Sequence, residues 1–183
     1  ALALYNLVLF SIIKQKEYGL YSLYLFGFIL NSLSYTGQLF TFVTWDLGLH
    51  FQDWTDIFLM ITYSIAALHF ARYLLSTSEY APKLDRFVIN ITIGIPAVML
   101  MGALFGQLLV SMAMAFLLNS GFAILFIIMG YRAVREGVSY AHLFLISSVT
   151  AAVCIAISTL AVAGLVPYND YTFKAIEFGM TFE

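Results

Sequence analysis

The sequence of 183 residues is short of charge and holds one cysteine and three prolines. Asp, Glu, Lys and Arg make up 10% of it, against roughly 25% in an ordinary soluble domain. That scarcity excludes a soluble globular enzyme. It also excludes a disordered chain, which is rich in charge and poor in apolar residues. The single cysteine, Cys154, excludes an intrachain disulfide and so a disulfide scaffold. Eight Lys and Arg against ten Asp and Glu leave a net charge of -2, so no basic face is offered to nucleic acid. What the chain has in excess is apolar residues, 62% of the total, with a mean hydropathy of +0.94. An apolar helix of about 20 residues crosses a bilayer. The composition therefore predicts an all-α, polytopic transmembrane helix bundle.

The charges fall in clusters separated by uncharged runs. Ala1 to Ile13 ends at Lys14-Gln15-Lys16-Glu17, and Leu20 to Val43 is followed by an acidic stretch with Asp46, Asp53 and Asp56. Ile57 to Leu75 carries His69 and Arg72 near its end, and a polar stretch from Ser76 to Arg86 follows. The long run Val88 to Gly130 has no charge at all. As one helix it would be about 65 Å long, roughly twice the ~30 Å bilayer core, so it must be a hairpin, turning at Gly102 to Gln107. The expected helices are 1–13, 20–43, 57–75, 87–103, 108–131, 141–166 and 171–183. The two end segments are too short to span, and read as the end of a first helix and the start of a seventh. A six-helix protein with short interfacial ends is the alternative.

Loop charge sets the expected orientation. Loops one, three and five carry Lys14, Lys16, Lys83, Arg86, Arg132 and Arg135, whereas loops two, four and six carry neither Lys nor Arg, Lys174 being the nearby exception. Basic residues remain cytoplasmic, which puts the N-terminal side outside and the C-terminal side in the cytoplasm. Trp45, Trp54, Tyr168 and Tyr171 then form the outer aromatic belt, and Tyr18, Tyr80, Tyr131 and Tyr140 the inner one. Half of 141–166 is small residues, among them Ser147, Ala151, Cys154, Ala156, Ser158 and Gly164. Small residues let backbones approach closely, so this sixth helix is expected at the centre, with the Leu/Phe/Ile-rich fifth facing lipid.

A set of short motifs runs through the chain in a characteristic order. It starts with Leu4-Tyr5-Asn6-Leu7-Val8-Leu9-Phe10, a basic turn and the Tyr- and Leu-rich Tyr18 to Tyr24. Then come Phe70-Ala71-Arg72-Tyr73-Leu74 and Tyr80-Ala81-Pro82-Lys83-Leu84-Asp85-Arg86. Gly130-Tyr131-Arg132, His142-Leu143-Phe144-Leu145 and Gly164-Leu165-Val166-Pro167 close it. In this order the motifs resemble the bacterial seven-helix receptors with diverse intracellular signalling modules, the 7TMR-DISM family. The resemblance implies a multi-pass region of a cell inner membrane that relays an extracytoplasmic signal to a kinase, cyclase or phosphatase output domain. Its partners would be the lipid bilayer and an extracytoplasmic sensor domain and a cytoplasmic signalling domain of the same protein, with a homodimer left open and nucleic acid excluded. Measured against the family, the chain lacks the front of the first helix and the back of the seventh.

No catalytic, cofactor or metal site is expected. Asp170 and Lys174 have the spacing of a helical ion pair, and Lys174 lies about 5 Å into its helix, too shallow for a retinal-binding lysine. There is no Gly-x-Ser-x-Gly turn, and His50, His69 and His142 lie in different segments without ligand spacing. The intramembrane polar candidates are His69 and Glu183, each expected about 12 residues into a span, where ionisable groups are costly. Ser, Thr or Asn on neighbouring helices would satisfy them; Asn31, Ser34, Tyr35, Gln38, Asn119 and Ser120 are the available partners. The signalling candidates are Arg72, Asp85, Arg86 and Arg132 on the inner side and Glu177 on the seventh helix, with Arg72–Asp85, or Arg86 and its neighbours, as the expected ion pairs. The functional expectation is a receptor region without enzymatic activity of its own; the alternative is a small transporter or channel subunit.

Overall fold

The computed structural model of the chain describes residues 1–43, 49–162, 164–167, 169–173, 175 and 179. Among them the protein is all-α, with no strand. The elements are α1 (Leu2–Ile13), α2 (Lys16–Tyr35), α3 (Gln38–Val43), α4 (Leu49–Leu74), α5 (Thr77–Tyr80), α6 (Pro82–Leu104), α7 (Leu108–Arg135), α8 (Ala141–Val162) and α9 (Asp170–Phe173). Among the described residues, four helices are long and apolar enough to cross a membrane: Phe51–Leu74 of α4, Pro82–Leu104, Leu108–Arg135 and Ala141–Ser158 of α8. α2 has 20 residues, but Lys16, Glu17 and its tyrosines lower its hydropathy. The expected seventh helix lies mostly outside the described residues.

The helix ends follow local chemistry. Between α6 and α7 the chain reverses at Phe105-Gly106-Gln107, where Gly106 takes φ +67°, a conformation that costs a side chain but not glycine. Pro82 occupies the first turn of α6, where its missing N–H is not needed. Pro96 sits inside α6 without ending it.

In three places the helices differ from the hydropathy reading. The run 20–43 is two helices, because the Thr36 hydroxyl turns back on the Ser32 carbonyl at 2.9 Å and Gly37 adopts φ +74°. Asp53 and Asp56 lie on α4 rather than in a loop: nothing between Leu49 and Leu74 is Gly or Pro, so the helix runs on beyond the apolar stretch. The polar stretch 76–86 is also mostly helical, as α5 and the start of α6.

The core lies where α2, α4 and α7 meet. α4 packs between α2 and α7; α1 covers α2, and α6 and α8 flank α7. Tyr24, Leu68, Leu118, Phe126 and Met129 are fully buried there. Rings link the elements in series. Phe28 and Phe122 both meet Tyr63 edge-on, at 5.8 and 6.3 Å, Phe122 meets Phe126 at 5.4 Å, and Phe126 meets Phe144 at 5.2 Å. Such pairs add about 0.5–1.5 kcal/mol each beyond their buried area. The Tyr63 hydroxyl donates to Asn119 Oδ1 at 2.5 Å, tying α4 to α7. At Gly27 the two backbones of α2 and α4 come so close that a Cβ would sit 2.8 Å from that of Tyr63.

This arrangement reverses the expected ranking of the fifth and sixth helices. α7, expected to face lipid, carries the core: Leu125 is 8% and Phe126 2% exposed. α8, expected at the centre, flanks α7, with Leu143 at 71%, Ile146 at 65% and Ala156 exposed. The small residues of α8 do serve close approach, since a Cβ on Gly179 would lie 2.8 Å from that of Cys154 and 3.3 Å from Ala151 Cα. Close approach needs small residues, but a core must also be filled, and only the large side chains of α7 do that.

Leu125→Ala should therefore lower thermal stability in detergent more than Ala156→Leu. The first opens a cavity at a cost of about 2–5 kcal/mol, and the second adds bulk at an exposed position, within about 0.5 kcal/mol. A greater loss from Ala156→Leu would return α8 to the centre.

Candidate signalling site: a charged clasp between α4 and α6

The last two turns of α4 bring His69 and Arg72 to the basic end of the bundle. Ser76 then takes the left-handed conformation (φ 49°) and its N–H reaches the Tyr73 carbonyl at 3.2 Å, turning the chain into α5. The turn buries Thr77, and α6 starts at Pro82 with Asp85 in its first turn. A carboxylate there also meets the positive end of the helix dipole.

The Arg72 guanidinium donates to both oxygens of Asp85, Nε to Oδ1 at 2.6 Å and Nη2 to Oδ2 at 2.9 Å. The two side chains are 14% and 11% exposed. Thr77 Oγ donates to Oδ1 at 2.9 Å. On the other side Arg72 Nη1 lies 2.9 Å from His69 Nδ1. A guanidinium has no acceptor, so Nδ1 accepts, and a neutral His69 carries its proton on Nε2. The two-pronged geometry is the strongest form of a charged hydrogen bond, and it closes the α4–α5–α6 turn into a clasp.

Of the sequence candidates, the structure brings together His69, Arg72 and Asp85. Arg86 and Arg132 are exposed and make no hydrogen bond to the clasp. Glu177 and Glu183 lie outside the described residues, as does Lys174. His69 is not the mid-membrane group the hydropathy suggested. α4 starts early and ends at Leu74, so His69 is about 8 Å from its C-terminal end. Its partner is Arg72, one turn on along the same helix, rather than a Ser, Thr or Asn of a neighbour. Thr77 was missed by the sequence reading, because only the left-handed turn at Ser76 makes it a partner of Asp85. Tyr80 was missed as a site too. Burial pushes its phenol up to about 12, the Glu136 charge contributes, and its hydroxyl has no hydrogen-bond partner among the described residues.

Loops one, three and five share this end. A cleft of about 430 Å³ is lined jointly by Gln15 and Tyr18, by Tyr73 and Ser76, and by Tyr140. Among the described residues, no group of three His, Cys, Asp or Glu could hold a metal.

Long apolar helices around an aromatic core, with charge gathered at their ends, define a helical membrane protein. The family model described as 7TM diverse intracellular signalling matches residues 1–183, and the chain belongs to that family. It is thus a transmembrane, receptor-type region in signal transduction. No curated protein and no solved structure matches it.

The clasp makes a stability prediction. Asp85→Asn should cost about 3 kcal/mol, the usual loss when one partner of a buried pair is removed. Thr77→Val should cost about 1 kcal/mol, and the exposed Lys83→Gln within about 0.5 kcal/mol. Unfolding of the three variants in detergent measures this; equal midpoints for Asp85→Asn and Lys83→Gln would show that the pair contributes nothing.

Proposed function

We propose that this region receives a signal on the outer side of a cell inner membrane and relays it, through a shift of the bundle, to a cytoplasmic output domain of the same protein. It performs no turnover itself. The observation that carries the reading is the Arg72–Asp85 clasp, which joins the inner end of α4 to the start of α6. α4 is packed between α2 and α7 and runs from the acidic end to the basic end. A displacement of α4 produced outside would reach the clasp as a displacement of Arg72. A ligand moves such an equilibrium only by binding its two states with different affinity.

The basic residues support a cytoplasmic position for loops one, three and five. The second reading, a transporter or channel subunit, draws on the interrupted pair α2–α3, because transporters bind substrate at broken helices near mid-membrane. This break is about 30 Å from the start of α2, at the far edge of the ~30 Å core, which favours the receptor.

Cysteines at Gln52 and Asn169 should label from outside intact cells, and those at Gln15, Ser78 and Gly137 only after permeabilisation. Labelling of Ser78 from outside inverts the topology. In the full-length protein, alanines added one at a time at the junction after the seventh helix should reset output with helical periodicity, since each rotates the downstream domain by about 100°. Output indifferent to every insertion would make the helix an anchor and favour the transporter reading.

A further inference from the structure

A second cavity lies on the opposite side of α2 from the cleft at the loops. It is a groove of about 740 Å³ between α1, α2 and α4, open where Leu7, Leu23 and Leu30 are exposed. Leu7 and Phe10 of α1 and Leu20, Leu23, Phe26 and Leu30 of α2 form its walls. Most of these are substantially exposed. From Gly19 to Leu30 the α2 wall is about 16 Å long, close to half of the ~30 Å hydrocarbon core. The groove thus has the length of one leaflet.

Its basic end is polar and carries donors. Lys16 Nζ sits 5.7 Å from the centre of the Tyr73 ring and has no carboxylate partner among the described residues. His69 also lines the groove. Its Nδ1 is engaged by Arg72, which leaves Nε2–H as a donor. Tyr73 contributes a phenol. Among the described residues, no Asp or Glu lines the groove; Glu17, next to Lys16, lines the cleft on the other side of α2. An ammonium, an imidazole N–H and a phenol at one end of an apolar slot one leaflet long match a phosphate attached to acyl chains.

We propose that this groove is a site for an anionic phospholipid, its phosphate held by Lys16, His69 and Tyr73 and one acyl chain laid along Leu20, Leu23 and Leu30. Charge complementarity selects the occupant: a zwitterionic lipid would carry its own cation to Lys16, and a soluble anion would leave the apolar walls uncovered. The site touches the clasp through His69, so an occupied headgroup position also orients the ring that Arg72 donates to. The inference rests on the membrane-spanning character of the chain and is independent of the relay reading.

The test uses the 183-residue chain in vesicles of phosphatidylcholine with a minor share of spin-labelled phosphatidylglycerol or spin-labelled phosphatidylcholine. The immobilised fraction should be larger for phosphatidylglycerol on the unmodified protein. Lys16→Gln should reduce that preference about fivefold, the worth of one basic residue at an anionic surface. Lys83→Gln, a basic residue of the same end outside the groove, should reduce it less. Leu23→Trp should abolish it by filling the slot. Equal immobilisation of the two lipids on the unmodified protein overturns the proposal, as do equal effects of Lys16→Gln and Lys83→Gln. Efficient disulfide cross-linking of a Leu23→Cys variant also overturns it, showing that a second copy covers the groove. Output of the full-length protein does not enter this test, so failure of the relay reading would not be mistaken for failure of the lipid site.

Discussion

Charge cannot be left unpaired in hydrocarbon, and the structure is organised around that cost. α6 has no charged side chain after Arg86, and α7 none before Arg132. Where a carboxylate and a guanidinium do approach the core, at Asp85 and Arg72, the carboxylate receives Nε and Nη2 of Arg72 and the Thr77 hydroxyl, while Nη1 turns to His69. The left-handed Ser76, the buried Thr77 and the proline start of α6 are the backbone features that make this possible. The clasp is thus the consequence of ending one helix and starting the next within a dozen residues at a membrane surface.

Packing obeys a second constraint. Lipid tails are as apolar as leucine, so helices associate through close contact and hydrogen bonds rather than through exclusion of water. The bundle uses two solutions in different places. Between α2 and α4 the backbones meet at Gly27, and between α8 and the segment after it at Gly179. Between α4, α7 and α8 aromatic rings fill the space, and Tyr63–Asn119 supplies a polar tie. α4 takes part in both, which makes it the element most tightly coupled to its neighbours. On the receptor reading, that coupling and the clasp at its end are what let one helix carry a displacement. On the lipid-site proposal, the groove sets a headgroup against His69, the ring to which Arg72 donates.

Much of the bundle was legible in sequence. Composition alone gives a helical membrane protein, because no other arrangement satisfies the backbone in lipid at this hydropathy. The charge-free run from Val88 to Gly130 requires a hairpin from length alone. The loop motifs, read in order, point to the family that the whole chain matches. Of the site, Arg72 and Asp85 stood out as charges beside an apolar run. Their pairing was one of two possibilities, and the exposed Arg86 was equally available on paper.

What tertiary structure decided is which neighbours each helix has. Hydropathy is a one-dimensional sum and cannot tell a lipid-facing leucine from a core leucine, since both are equally apolar. Hence α7 and α8 exchanged the roles their composition suggested, with Phe126 buried and Ile146 exposed. Nor does hydropathy register that a helix runs past its apolar stretch, as α4 does with Asp53 and Asp56. That extension, ending at Leu74, puts His69 near the basic end and beside Arg72. Thr77 became a partner of Asp85 only through a left-handed turn that no hydropathy pattern encodes. The sequence by itself determined the solvent this protein lives in, the clustering of its charges and its family, because these follow from transfer free energies summed along the chain. Its core, its clasp and its groove were decided in three dimensions, because each depends on side chains from separate helices meeting at van der Waals or hydrogen-bond distance.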